Sequence, residues 1–262
     1  MKRKLRELAK EPQFIEGIYN YCDNWCERCQ FTTRCLSYAS TAELMKEAGD
    51  TGDELSRSLE TVASVFAETK EMLLEMAEER GIDLNSPEAE AAWQDEQRRN
   101  REAREEPLFR AAEAYSFQVQ AWFQSQQSDE PEADEPVALP DHYEEVSEAV
   151  EIIHWYQFFI ASKLFRASDP PAYDQIGDEE MRRELEAHMA EHTSGTVKIA
   201  LIGMDRSLLA WQRLQHLLPE AAPQIVTFIK SLERLRRQTE LAFPHARDFI
   251  RPGFDEAVDY EM

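Results

Sequence analysis

Residues 143–167 read YEEVSEAVEIIHWYQFFIASKLFRA. Val146, Val150, Ile152, Ile153, Trp155, Tyr156, Phe158, Phe159, Ile160, Leu164 and Phe165 leave no side of a helix free of apolar residues. A helix without a polar face is one surrounded by others. This stretch therefore predicts the central helix of an all-α, multi-helix bundle.

The flanking sequence extends the pattern in both directions. After a break at Ser168-Asp169-Pro170-Pro171, a charged helix is expected to run to about His192. Thr193-Ser194-Gly195 is read as a kink or restart before the apolar stretch Val197 to Leu218. Pro219 to Pro223 turns the chain into a last helix with Ile225, Phe228, Ile229, Leu232 and Leu235 on one stripe. Upstream, Leu55, Leu59, Val62, Phe66, Leu73 and Met76 repeat mostly by threes, fours and sevens between Glu54 and Arg80. Gly81 is a normal helix terminator, and Asn85-Ser86-Pro87-Glu88 offers a new N-cap with proline at the first helical position. The charged stretch Glu88 to Glu106 reads as a solvated helix, and Pro107 opens another with Leu108, Ala112, Tyr115, Val119 and Trp122. QSQQSDEPEADEPVALPD, by contrast, has no periodicity and three prolines, and reads as a mobile acidic linker. No alternating β pattern of useful length appears. The expected organisation is a cysteine segment (1–48), helical segments (49–125), the linker (126–140), the helices that complete the bundle (141–250) and a tail (251–262).

Charge bounds the partners. The 262-residue chain carries 29 Lys and Arg against 52 Asp and Glu, a formal net charge of −23. Such a surface repels phosphate backbones and anionic lipid, so neither nucleic acid nor a membrane is expected as a partner. No run of eighteen apolar residues is present to span a bilayer. The basic start MKRKLRELAKEPQF lacks the apolar stretch of a secretory signal, so a cytoplasmic location and reduced thiols are expected. Its basic residues Lys2, Arg3, Lys4 and Arg6 could steer an acidic protein partner to the N-terminal side.

All four cysteines lie within YCDNWCERCQFTTRC, residues 21–35, as Cys22, Cys26, Cys29 and Cys35. Ile15, Ile18, Cys22, Cys26 and Cys29 fall at helical intervals, so a row of small buried residues would also account for them. No other apolar position uses cysteine, however, and clustered thiols in a reducing compartment point to a metal site. On an unbroken helix Cys22 and Cys29 are roughly 10 Å apart along the axis. A single zinc, with Zn–S bonds of about 2.3 Å, needs ligand Cα atoms only about 7 Å apart. One zinc therefore requires the helix to end near Cys26, leaving Cys26-Glu27-Arg28-Cys29 as a knuckle. An iron–sulfur cube is wider and takes the longer span.

The segment CERCQFTTRC, residues 26–35, resembles the Cys-x2-Cys-x5-Cys iron–sulfur staple of RecB-like nucleases, down to Phe31 and to Arg34 before the last cysteine. The resemblance implies a [4Fe-4S] cluster on Cys26, Cys29 and Cys35, with Cys22 as fourth ligand. It covers ten residues, and it departs from that family, whose first cysteine usually lies far upstream. The nuclease itself does not carry over. Glu68-Thr69-Lys70 matches the letters of its Glu-x-Lys motif, but residues two apart diverge by about 160° on a helix instead of sharing the face of a strand.

A second cluster of polar residues lies in the central helix. Glu151-Ile152-Ile153-His154 sets a carboxylate and an imidazole on adjacent helix edges, as in di-iron carboxylate bundles. Buried charge needs a partner, and Lys198 and Asp205, seven apart on one face, are the candidates for a shared interior pocket. Only one such motif is present where the di-iron template needs two. His188-Met189-Ala190-Glu191-His192 has the His-x-x-Glu-His form of zinc proteases, but its polar surroundings mark it as a solvated face. The chain has neither a glycine-rich phosphate loop nor a Gly-x-Ser-x-Gly elbow. Three functional readings follow. The first is a [4Fe-4S] protein with a redox, sensing or electron-transfer role. The second is a helical interaction protein stapled by zinc. The third, weaker, is a ferritin-like di-metal oxidase using Glu151 and His154.

Overall fold

A computed structural model describes residues 8, 10–47, 54–126, 142–168 and 178–255. The basic residues 2–6, most of the acidic linker and the 169–171 break lie outside these. Among the described residues the chain is all-helical, without strands. The helices are α1 (Leu36–Glu47), α2 (Glu54–Glu79), α3 (Pro87–Glu105), α4 (Pro107–Gln126), α5 (Tyr143–Ser168), α6 (Glu179–Leu217) and α7 (Ala222–Ala242). Two compact units result, one comprising residues 1–98 with 252–262 and the other 99–251.

The ends of α2 and α3 follow from local chemistry. Gly81 takes φ +65°, and the Ile82 amide donates to Ala77 O at 2.8 Å, which closes the C-terminal turn of α2. The Ser86 hydroxyl then accepts from the Ala89 amide at 3.1 Å, with Pro87 as the first helical residue. The apolar stripe of α2 is helical as its spacing predicts. It is not buried, because Leu59, Val62, Phe66, Leu73 and Met76 are all exposed.

The second unit is a ring of four helices. α4 packs on α5 and α7, α5 on α6, and α6 on α7. Trp211, Tyr156, Phe228, Ile153, Ile160, Leu201, Met204 and Ile225 are fully buried at its centre. The ring centroids of Trp211 and Phe228 are 4.8 Å apart, and those of Trp122 lie 5.5 and 5.7 Å from the same two rings. Such aromatic pairs add to the energy of area burial. The Trp211 indole N–H donates to the Tyr115 hydroxyl at 2.8 Å, so neither polar tip is buried unsatisfied. Burial holds the Tyr115 proton on, well above the ordinary phenol value. Ser116 of α4 donates to backbone carbonyls of Ala112 and Gln157, and Gln157 donates to Gln120 Oε1 at 3.0 Å. These bonds fix α4 against α5.

Two expectations are corrected here. α6 runs without a break through Thr193-Ser194-Gly195. Gly195, Thr196 and Val197 are buried, and Ser194 bonds back to Ala190 O at 2.9 Å, so packing overrides weak helix propensity. α5 is not apolar all round as placed in the bundle. Glu144, Glu148, Glu151, His154, Phe158 and Ser162 form an exposed stripe, while Ile153, Tyr156, Gln157, Ile160 and Leu164 are buried.

Gly203 marks the closest approach of α5 and α6. A Cβ there would stand 2.9 Å from Tyr156 Cδ1 and 3.4 Å from Ile160 Cγ1. The Tyr156 ring is fully buried, and its hydroxyl accepts from Arg206, so it has little room to retreat. Gly203→Ala gains about 1 kcal/mol of helix propensity and loses about 1–3 kcal/mol to overpacking. Urea unfolding of the variant is expected to show a net loss of up to about 2 kcal/mol; a stabilised variant would contradict this packing.

Candidate metal centre

The cysteine segment is built from turns. Gly17 is left-handed at φ 71°, and short 3₁₀ turns follow at Ile18–Tyr21, Cys26–Arg28 and Thr32–Arg34. Asn24, at φ 57°, is also left-handed, which interrupts any helix between Cys22 and Cys26. Cys22, Cys29 and Cys35 are each the extended residue that ends one of the three turns, and Cys26 begins the second. The row Ile15, Ile18, Cys22, Cys26, Cys29 is therefore not a helical stripe. A succession of three-residue turns produces the same intervals. Cys22 and Cys29 are not two helical turns apart, so their span no longer separates an iron–sulfur cube from a single zinc.

The turns gather the thiols instead. Cys22, Cys26, Cys29 and Cys35 all line one small cavity, with Ile18, Trp25, Phe31, Tyr38 and Phe254 in its wall. The Cys29 amide donates to Cys26 O at 3.1 Å, closing the Cys26–Cys29 knuckle, and the Phe31 amide points at Cys29 Sγ, 3.4 Å away. The Cys22 thiol donates to Asn24 Oδ1 at 3.2 Å and to Tyr19 O at 3.5 Å. Cys35 precedes the first residue of α1, and its carbonyl accepts from the Ala39 amide at 3.0 Å. The Ile15 amide donates to Arg34 O at 3.0 Å, which ties the start of the segment to its last turn.

Electrostatics couples the four sulfurs. Burial pushes the Cys26 thiol pKa up, and Cys22, Cys35, Cys29 and then Glu27 push it further. All four cysteines are free thiols of intermediate exposure. The Arg28 guanidinium lies over the Trp25 ring at 4.2 Å. Among the described residues, no group of three or more His, Cys, Asp or Glu side chains stands in the geometry of a metal site. The thiols share one cavity without being assembled around a point. Four thiols with an amide donor and an apolar wall nevertheless match the donor chemistry of zinc or iron–sulfur ligation.

Sequence reasoning missed two features here. Trp25 is buried in the cavity wall, and Phe254 reaches it from the far end of the chain. The signal for the second is Pro252-Gly253-Phe254, a turn pair followed by an aromatic residue in what reads as a tail.

The carboxylate and histidine candidates are not brought together. α5 and α6 are antiparallel, with Glu148 bonded to Arg213 at 2.7 Å and Tyr156 opposite Arg206 and Gly203. Glu151 therefore stands at the level of residues 206–213, well away from Lys198, and both Glu151 and His154 are exposed. Lys198 donates instead to Phe249 O, and Asp205 accepts from Arg236 at 3.0 Å and Arg247 at 2.9 Å. Arg247 also meets Glu240 at 2.7 Å. The shared face of Lys198 and Asp205 thus closes on α7 and the turn at Ala246–Asp248, not on Glu151. Glu191 is exposed and His188 is exposed, while His192 is partly buried with its pKa lowered by burial and by Arg166, His188 and Lys163. α2 is helical through Glu68 and Lys70, as the nuclease objection requires.

His154 packs against Phe123, ring centroids 4.1 Å apart, and desolvation lowers its pKa below the ordinary 6.5. The unfolded chain then binds the proton more readily than the folded one. The stabilising contribution is whole above the ordinary imidazole value and is lost as pH falls through the lower folded value. His154→Gln is expected to lessen the fall in melting temperature on acidification below neutral pH, as followed by circular dichroism. An unchanged pH profile would show that His154 is not desolvated.

Comparison with protein-family models, with curated proteins and with solved structures finds no match to this chain.

Proposed function

We propose that Cys22, Cys26, Cys29 and Cys35 hold a [4Fe-4S] cluster in a redox, sensing or electron-transfer protein. The observation that carries the metal site is that all four of the chain's cysteines line one cavity. The likeness of CERCQFTTRC to a RecB-type staple favours iron–sulfur as its occupant. Such a cluster supplies one-electron exchange at a potential set by hydrogen bonds to sulfur and by solvent access. The chain's own part is to present four thiolates, to aim the Phe31 amide at Cys29 Sγ and to wall the cavity with Trp25 and Phe31.

A structural zinc is the second reading, and the Cys26–Cys29 knuckle favours it. Left-handed Asn24 breaks any helical path before Cys26, which leaves Cys26–Cys29 as the kind of knuckle a single zinc needs. Exposed Glu151 and His154 lend no support to the di-metal oxidase. The acidic charge supports a protein partner over nucleic acid or anionic membrane, with docking on the cysteine side. Among the described residues no helix is long and apolar enough to cross a membrane. A cytoplasmic location suits the free thiols.

Protein purified without air is expected to be brown and to hold about four irons per chain. A colourless preparation with one tightly bound zinc would replace the cluster by the second reading. Cys29→Ser should abolish either metal, and unchanged metal content in that variant would overturn the site itself. Each thiol must lose its proton to bind, and burial with neighbouring thiols holds the Cys26 proton on. Metal retention, measured by equilibrium dialysis, is therefore expected to fall as pH is lowered.

A further inference from the structure

The chain returns from the four-helix ring to the cysteine segment at residues 252–255, which belong to the same compact unit as the thiols. The contact is built, not incidental. Phe254 lines the thiol cavity, and its ring meets that of Phe31 edge to face, with centroids 4.9 Å apart and planes at 78°. Phe31 is itself the residue whose amide points at Cys29 Sγ. One position earlier, Gly253 has φ +74°, a conformation that side-chain-bearing residues rarely adopt. A Cβ on Gly253 would stand 2.8 Å from Ile15 Cδ1 and 3.1 Å from Ile18 Cδ1. Glycine thus lets the backbone lie directly on Ile15 and on buried Ile18, and this seats Phe254 in the cavity wall.

We propose that Pro252-Gly253-Phe254 is a cover over the four-cysteine centre, with Phe254 on Phe31 as its latch. It controls how readily water, oxidants and chelators reach the sulfurs. The cover rests on the reading of the cysteines as a metal centre and adds its regulation. A centre whose wall is partly supplied by the far end of the chain is exposed by a local movement of three residues, without unfolding the turns that carry the thiols. Solvent access is one of the determinants of cluster potential, so the same movement would alter redox behaviour.

The test uses full-length protein in two states. In the reduced, metal-free state the rate of thiol alkylation by iodoacetamide is measured for the parent, Phe254→Ala, Phe31→Ala and the double variant. Each rate is read against that of the same protein in denaturant. Phe254→Ala is expected to react roughly two- to twelvefold faster than the parent, the factor that corresponds to losing one aromatic edge contact. It should remain slower than the denatured chain, and the double variant should be no faster than either single variant, since both remove one latch. Phe254→Leu, which keeps an apolar plug, should retain most of the protection. In the loaded state, release of metal to a chromogenic chelator should accelerate in the same order. Parent-like alkylation and release rates in Phe254→Ala would overturn the cover while leaving the metal reading intact. Faster alkylation in a protein that binds no metal would support the cover over the thiols and overturn the metal reading instead. Alkylation at the denatured rate in both Phe254→Ala and Phe254→Leu would overturn the cover, by showing that Phe254 holds the whole segment folded.

Discussion

Cys26 shares one cavity with three other thiols, and these surroundings oppose its ionisation. Burial disfavours the Cys26 thiolate, and charge on Cys22, Cys35 or Cys29 raises its cost further. A cation held among the sulfurs would offset that cost with its own charge. Much of the N-terminal segment serves this constraint. Three short turns place Cys22, Cys29 and Cys35 at their extended ends, and left-handed Asn24 keeps the first turn from fusing with the second into a helix that would spread the sulfurs apart. An amide on Cys29 Sγ and the aromatic wall complete the surroundings.

The second unit obeys a different constraint, the packing of four helices around large rings. Trp211 is held by Tyr115, packed at a tilt on Phe228 and flanked by Trp122, so this layer tolerates little change in volume. The charged residues proposed from sequence as an internal site here are spent on other tasks. Asp205 joins α6 to α7 and to the turn beyond it through Arg236 and Arg247, and Lys198 secures the backbone at Phe249. At exposures of about a third and above, these pairs fix geometry more than they add stability.

Much of the fold is legible in the sequence because helix stripes, caps and terminators are local. Ser86-Pro87 and Gly81 act as their chemistry dictates. The cysteine segment is less legible, since intervals of three and four arise equally from one helix and from a chain of 3₁₀ turns. Only Gly17 and Asn24 distinguish the two, and asparagine adopts a left-handed conformation too rarely to be assigned from sequence. Counting apolar residues on α5 also misleads. Phe158 is exposed and meets Phe117 at the surface, ring centroids 5.8 Å apart, so an apolar residue does not guarantee a buried face. The identity of the four cysteines is readable, but the contribution of Phe254 is not, because no local rule links the two ends of a chain.

The central claim is that four sulfurs of one chain surround a metal. X-ray absorption at the metal edge of anaerobically purified protein reads that shell directly. The account predicts sulfur as the only light ligand, at about 2.3 Å, with a further iron–iron shell when a cluster is present. A first shell of nitrogen or oxygen, or protein that retains no metal with all four thiols reduced, would contradict it.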